Sequence, residues 1–105
     1  MYSVYVTCAD KDEAKKIAGL AIEKGLAACA NIFQAHEALY FWEGSMQCDK
    51  EVAMILKTSK TRYKELETLI AANHSYDAPC ILAFPAQDGN SAFLEWIDQS
   101  TEAKA

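Results

Sequence analysis

The chain has 105 residues, of which 51% are hydrophobic and 10% aromatic, and it carries a net charge of −5 at pH 7. These values predict a single domain over residues 1–105 with an ample core, and they argue against disorder. The acidic balance, with lysines interspersed among carboxylates, disfavours nucleic acid and anionic membranes as partners, and no apolar run approaches the ~20 residues that cross a bilayer.

The chain begins with a predicted strand and a predicted helix. Tyr2–Cys8 alternates aromatic and β-branched residues with smaller ones, which is typical of a strand. Asp10 then offers a helix N-cap, and Glu13 follows three positions later in a capping-box arrangement. The next apolar residues share one helical face, and Gly25 stands where helices commonly end in a left-handed residue.

The second strand is predicted from Leu26 to Trp42, far longer than the usual ~5–6 residues. Residues 34–36 are weak strand formers and predict a bulge or bend. After a turn at 43–45, which residues 46–49 could extend, a third strand is predicted over Glu51–Thr58. A strand this long projects beyond a small sheet, so we expect another chain to cover it.

The last third of the chain predicts a helix, a strand and a terminal helix. Thr58 or Ser59 can cap the second helix, whose buried stripe is Tyr63, Leu66, Leu69 and Ile70. Cys80–Phe84 predicts the fourth strand, and the terminal helix is expected to bury Phe93, Leu94 and Ile97. The order β-α-β-β-α-β plus a helix predicts an α+β, ferredoxin-like antiparallel sheet with an extended hairpin and a C-terminal helix.

Four cysteines, at positions 8, 29, 48 and 80, show no CxxC spacing and are too sparse for a disulfide scaffold. Reduced thiols are typical of cytosolic proteins. The start of the chain also has the pattern of a first strand rather than that of a signal peptide. We therefore expect a cytoplasmic protein.

Short sequence motifs that match a known family lie in order along nearly the whole chain. They are Thr7, Leu26-Ala27-Ala28-Cys29, Asn31, Tyr40, Trp42-Glu43-Gly44, Glu51, Lys57-Thr58, His74, Tyr76, Pro79, Gly89-Asn90 and Phe93-Leu94-Glu95-Trp96-Ile97. Their joint order and spacing resemble the CutA divalent-cation-tolerance proteins. The resemblance implies a ferredoxin-like subunit in a homotrimer similar to the PII signalling proteins, with a role in tolerance of copper and other divalent cations. It implies a binding or signalling module rather than an enzyme.

The segment between the second helix and the fourth strand departs from the family pattern. Where relatives read His-Pro-Tyr-Glu, this chain reads His-Ser-Tyr-Asp at 74–77. The copper site of bacterial relatives corresponds to Val6, Asn73 and His74, so one of its three ligands is retained. The resemblance and the nearby donors together make His74, Asp77 and Cys8 the candidate ligands for Cu(II) or another divalent cation, which we expect not to be required for folding. Because His74 follows the second helix closely, a structural role at the helix end is the favoured alternative for this residue.

Several residues allow a second interpretation from the sequence. Cys29, in a run of small apolar residues, fits a packing residue better than a ligand or nucleophile, and a thiol enzyme using Cys29 or Cys8 with His74 is disfavoured. His36 and Glu37 are expected to be solvated. Glu51 and Lys57 could form an ion pair or line a cleft between subunits, and a PII-like small-molecule site near Lys57, Tyr76 and Trp96 is the alternative function.

Overall fold

The computed structural model describes residues 1–102 and has the predicted ferredoxin-like architecture. Its elements in chain order are β1 (Tyr2–Cys8), α1 (Lys11–Glu23), β2 (Cys29–Trp42), β3 (Ser45–Thr58), a 3-10 turn (Lys60–Arg62), α2 (Tyr63–Asn73), β4 (Ile81–Pro85) and α3 (Ser91–Ser100). The four strands form one antiparallel sheet in the order β2-β3-β1-β4. None of the helices within residues 1–102 has the length and apolar character needed to cross a membrane.

The ends of α1 follow from its capping residues. The side chain of Asp10 accepts a hydrogen bond of 2.8 Å from the Glu13 backbone N–H, and the Glu13 carboxylate accepts one of 3.0 Å from the N–H of Ala9. The predicted N-terminal cap is therefore confirmed. After α1, Gly25 adopts a positive φ of 70°, and the N–H of Leu26 donates a hydrogen bond to the carbonyl oxygen of Ala21 in the helix. The prediction that β2 begins at Leu26 is wrong for this reason, because these amides belong to the helix end.

The hairpin of β2 and β3 projects beyond the rest of the sheet. β1 pairs with β3 only as far as Cys8 opposite Val52, whereas β2 follows β3 to its first residue. We call residues 36–51 the ribbon, since β3 there has β2 as its only neighbour. β3 starts at Ser45 and not at Glu51 as predicted, because its whole length pairs with β2. A register shift between Ile32 and Ala35 confirms a bulge close to its predicted position.

The core lies between one face of the sheet and the helices α1 and α2. Its largest fully buried side chains on these elements are Val4, Val6, Ile17, Met54, Leu56, Leu66 and Ile70. Two predictions are wrong, one about helix capping and one about helix packing. Ser59 makes no capping bond, because a 3-10 turn precedes α2 and the Thr58 hydroxyl bonds to the carbonyl of Leu26 instead. On α3 only Ile97 is buried, while Phe93 is exposed, because α3 lies beside the sheet's other face.

Candidate functional site

Three side chains with metal-ligating atoms meet at the end of β1. One ligand atom from each of Cys8, Glu13 and His74 lies within 4.8 Å of the others. Cys8 and His74 are two of the three ligands predicted from the sequence, whereas Asp77 is exposed and lies outside this group. The sequence analysis placed Glu13 in the helix cap only, and no local pattern indicates its approach to His74 from a distant part of the chain.

Both ring nitrogens of His74 already have backbone partners. Nε2 lies 2.8 Å from the carbonyl oxygen of Thr7, which can only accept, so Nε2 carries a hydrogen and donates it. Nδ1 accepts a hydrogen bond of 3.0 Å from the Tyr76 N–H. The side chain has no solvent-accessible surface. These partners fix the neutral ring in one tautomer.

The Glu13 carboxylate likewise has a backbone partner at each of its oxygens. Oε1 accepts the N–H of Ala9 at 3.0 Å, and Oε2 accepts the N–H of Ser75 at 2.9 Å. Burial raises the pKa of Glu13, but the hydrogen bonds from the backbone of Ala9 and from Ser75 outweigh it, so the net pKa lies below the usual 4.5. Glu13 therefore joins the start of α1 to the segment after α2 as an ionised acceptor.

The thiol of Cys8 is buried in a negatively charged environment. Burial, followed by the charges of Glu13, Asp10 and Glu51, raises the pKa of Cys8 to about 12. The thiolate is the form that attacks substrates and binds metals. At neutral pH Cys8 is therefore a protonated, inert side chain, which removes support from the thiol-enzyme interpretation.

A second group of polar side chains continues from this cluster to the ribbon. The Tyr76 ring packs against the His74 ring with centroids 4.8 Å apart, and its hydroxyl donates a hydrogen bond of 2.9 Å to Glu51. Burial and then this bond raise the pKa of Tyr76 well above its ordinary value. The other Glu51 oxygen lies 4.0 Å from Nε2 of His36. His36 is thus only partly solvated, and Glu51 does not pair with Lys57, whose ammonium donates to Asn31.

Two exposed apolar surfaces lie outside the polar groups. One is the ribbon face, formed by Leu39, Phe41 and Met46, with 68%, 68% and 66% of each residue exposed. These residues share a face because Phe41 pairs with Met46 and Leu39 is two positions away. The other surface lies on the side of the sheet away from α1 and α2, near α3, and contains Leu82, Phe84, Phe93 and Trp96.

The four cysteines differ in their surroundings, and all are free. Cys8 is buried, Cys29 and Cys80 are half-buried, and Cys48 is exposed on the ribbon. Cys29 pairs in register with Lys57 at the start of β2. Its partial burial agrees with a packing role at the sheet surface.

Comparison with known proteins gives one consistent result. Residues 2–100 match the family described as CutA1 divalent ion tolerance protein. The chain is 41% identical over 99 residues to the divalent-cation tolerance protein CutA of Archaeoglobus fulgidus, covering 94% of this chain and 96% of that relative. It is 43% identical over 98 residues to the chloroplastic protein CutA 1 of Oryza sativa subsp. japonica, covering 93% of this chain and 55% of that protein. The chain thus spans about half the length of the rice relative.

Solved structures agree with the sequence comparison. The CutA1 crystal structure from Oryza sativa superposes with a TM-score of 0.94 at 41% identity, covering 98% of this chain and 94% of that one. The structure of the periplasmic divalent cation tolerance protein CutA from Archaeoglobus fulgidus gives 0.92 at 41% identity, with coverage of 97% and 100%. From its sequence match and its fold together, the chain belongs to the CutA1 divalent ion tolerance family.

Proposed function

We propose that this protein acts in divalent-cation tolerance as a homotrimeric, non-enzymatic binding or signalling module. The observation that carries the proposal is the ribbon, which extends a subunit of 49 × 27 × 20 Å and leaves an apolar face without cover in one chain. A monomer would expose this face to water at a cost of about 25 cal/mol per Å² of apolar area. Pairing with neighbouring copies removes that cost.

The second apolar surface supports assembly in the same way. Leu82 and Phe84 on β4 and the aromatic side chains of α3 lie on the sheet face that α1 and α2 leave open. Sheets that are apolar on both faces are normally covered on both. A closed ring of copies can cover both surfaces at once, and three copies is the number that the family resemblance implies.

The proposed ligand is a divalent cation, with Cu(II) as the first candidate. The net charge of −5 favours the approach of cations, and the family and its relatives are described by divalent ion tolerance. We propose that the cation is not required for folding, since no buried side-chain polar atom among the described residues lacks a partner. A non-enzymatic role fits the inert thiol of Cys8.

Sedimentation velocity and calorimetry of the full chain test this proposal. We expect the protein to sediment as a trimer and to bind Cu(II) or Zn(II) with measurable heat in the assembled state. A monomer at micromolar concentration would contradict the assembly. An absence of heat with both ions would contradict direct cation binding while leaving the assembly intact.

The alternative function is a small-molecule sensor with a site between subunits. The ammonium group of Lys57 lies 5.8 Å from the centre of the Phe93 ring, and Trp96 packs beside that ring, so a cation and two exposed aromatic rings are together. Tyr76 contacts Glu51, which is six residues from Lys57 along β3, or about 20 Å. Tyr76 and Trp96 could therefore share a ligand only between copies. A thermal-shift screen with nucleotides and metabolites tests this, because a ligand raises the Tm.

We also propose that the protein works in the cytoplasm. Four free cysteines, one of them exposed on the ribbon, are best preserved in a reducing compartment. Relatives described as chloroplastic and periplasmic show that the family occupies several compartments. Fractionation of cells that express the full-length gene, followed by immunodetection, tests the assignment.

A further inference from the structure

We infer that Cys8, Glu13 and His74 form a closed latch that fixes the root of the ribbon, and that they are not a divalent-cation site. The name latch here means the side chains of Glu13 and His74 with their hydrogen-bond partners, and the buried Cys8 thiol beside them. Two of the three residues, Cys8 and His74, are ligands that the sequence analysis predicts for a cation. The inference depends on the geometry of one chain and does not require the proposed assembly.

The donor atoms of the latch do not fit an added cation. A metal ligated by His74 needs a free nitrogen lone pair, but Nδ1 receives the Tyr76 N–H and Nε2 carries the hydrogen that it donates to Thr7. A ligating histidine normally keeps one nitrogen for the metal and gives its other N–H to an acceptor. Here both nitrogens have backbone partners, so neither is available.

Glu13 and Cys8 are no better suited than His74 to bind a cation. Each oxygen of Glu13 accepts a backbone N–H, one from Ala9 and one from Ser75. Cys8 is fully buried and would have to lose its proton to bind a metal. A cation at this position would therefore have to displace a hydrogen bond of the His74 ring and the proton of Cys8. No buried side-chain polar atom among the described residues is without a hydrogen-bond partner, so none is left that a cation would satisfy.

The same bonds tie together three separate parts of the chain. Thr7 belongs to β1 and Glu13 to the first turn of α1, whereas Ser75 and Tyr76 follow α2. Each of the first two residues is bonded to the segment after α2, through His74 or Ser75. The latch thus holds that segment against the end of β1.

Tyr76 connects the latch to the ribbon. Its ring lies on the His74 ring, and its hydroxyl donates to Glu51. Glu51 stands directly opposite His36, at the first pair of the ribbon after β1 has ended at Cys8. The contacts from Thr7 through His74 and Tyr76 to Glu51 therefore anchor β3 at the point where it loses one neighbouring strand. His74 and Tyr76 are positioning residues for the ribbon.

The metal half of the inference is tested with Co(II) as a spectroscopic probe of the full-length protein. A thiolate bound to Co(II) gives an intense near-ultraviolet charge-transfer band. We expect no such band on addition of equimolar Co(II), and no change in the spectrum between wild type and Cys8→Ala. A band in the wild type that Cys8→Ala or His74→Gln abolishes would overturn the inference. Cation binding at another site would not be abolished by Cys8→Ala or His74→Gln, so the experiment distinguishes it from binding at the latch.

The positioning half is tested by hydrogen exchange in Tyr76→Phe. This variant keeps the ring and removes the hydroxyl that bonds to Glu51. We expect amide exchange at the root of the ribbon, at 36–37 and 50–51, to accelerate roughly tenfold, as the loss of a hydrogen bond to a carboxylate predicts. The matched control is Tyr40→Phe, which removes the hydroxyl bonded to Asp49 further along the ribbon. Unchanged exchange at the root in Tyr76→Phe, or an equal acceleration there in Tyr40→Phe, would overturn the positioning role.

Discussion

The hydroxyl group of Thr58 donates a hydrogen bond of 2.7 Å to the carbonyl oxygen of Leu26. Thr58 is the last residue of β3 and has no exposed surface, and Leu26 follows the end of α1. The bond therefore secures the turn that carries the chain from α1 into β2. The sequence predicts Thr58 as a possible cap of α2, but its hydroxyl instead donates to a backbone carbonyl just after the end of α1.

Thr58→Val is expected to lower the free energy of unfolding by about 1–3 kcal/mol, because it leaves the carbonyl of Leu26 without its donor while preserving side-chain shape. Chemical denaturation at a fixed subunit concentration measures the change. Thr68→Val, on the exposed face of α2, is the control and should stay within about 0.5 kcal/mol. A loss at Thr58 no greater than that of the control would contradict the prediction.

Alkaline pH is expected to destabilise the protein through Cys8. Its thiol has a pKa of about 12 in the fold, against an ordinary value of 9.0. Well below pH 9 the thiol is protonated in both the folded and the unfolded chain, so the contribution of Cys8 to stability is complete. As the pH rises from 9 toward 12, only the unfolded chain loses the proton, and the free energy of unfolding falls by up to about 1.4 kcal/mol per pH unit.

Denaturation midpoints measured between pH 8 and pH 11 test this expectation. Cys8→Ala should reduce the slope of stability against pH, whatever its effect on stability at neutral pH. Cys80→Ala, at a half-buried cysteine outside the ribbon, is the matched control. Burial also raises the pKa of Tyr63, to about 12, so some alkaline loss should persist in every variant. Identical slopes for Cys8→Ala and wild type would refute the assignment to Cys8.

Acid pH is expected to act through Glu13. Because its pKa is lowered in the fold, the stabilisation it provides is complete above the unfolded value and is lost as the pH falls through the folded value. Glu13→Gln, whose amide cannot accept at both positions, should cost about 1.5–3 kcal/mol at pH 7 and progressively less below pH 4. Glu23→Gln, at the exposed end of α1, should show neither effect. Thermal unfolding from pH 2 to pH 7 gives the comparison.

The ribbon face is expected to be essential for assembly. Phe41→Glu places a charge among Leu39 and Met46, and burying that charge between copies is costly, so the subunit dissociation constant should rise at least tenfold. Gln47→Glu adds the same charge on the opposite face and should have a much smaller effect. Sedimentation equilibrium over a range of concentrations distinguishes them. If the two variants dissociate equally, the apolar face is not what holds the copies together.

Local sequence signals predicted most of the fold. The cap formed by Asp10 and Glu13 and the bulge near 34–36 depend on side-chain chemistry within a few residues, so they can be recognised without the tertiary structure. The start of β2 was predicted three residues early, since apolar residues after a helix fit a strand and a helix end equally well. Phe93 was predicted to be buried because helical periodicity identifies an apolar face but not what covers it.

The candidate site was less predictable. Cys8 and His74 were predicted as metal ligands from the family resemblance and the nearby donors, and the fold does bring them together. The carbonyl of Thr7 and the N–H of Tyr76, which occupy the His74 ring, belong to the backbone and have no signature in the sequence. Asp77 is close to His74 along the chain, yet it is exposed outside the cluster, while the distant Glu13 lies inside it.

The bulge in β2 also determines which side chains the ribbon turns outward. From Ile32 opposite Met54 to Ala35 opposite Val52, β2 advances by one residue more than β3. Before the bulge, the even-numbered side chains of β2 therefore lie on the side of the sheet that carries α1 and α2. After the bulge, the odd-numbered side chains lie on that side. This change of parity puts Leu39 and Phe41 beside Met46. A residue added or removed between the bulge and the hairpin turn would move these side chains to opposite faces, whereas the bulge itself can absorb such a change and keep them together.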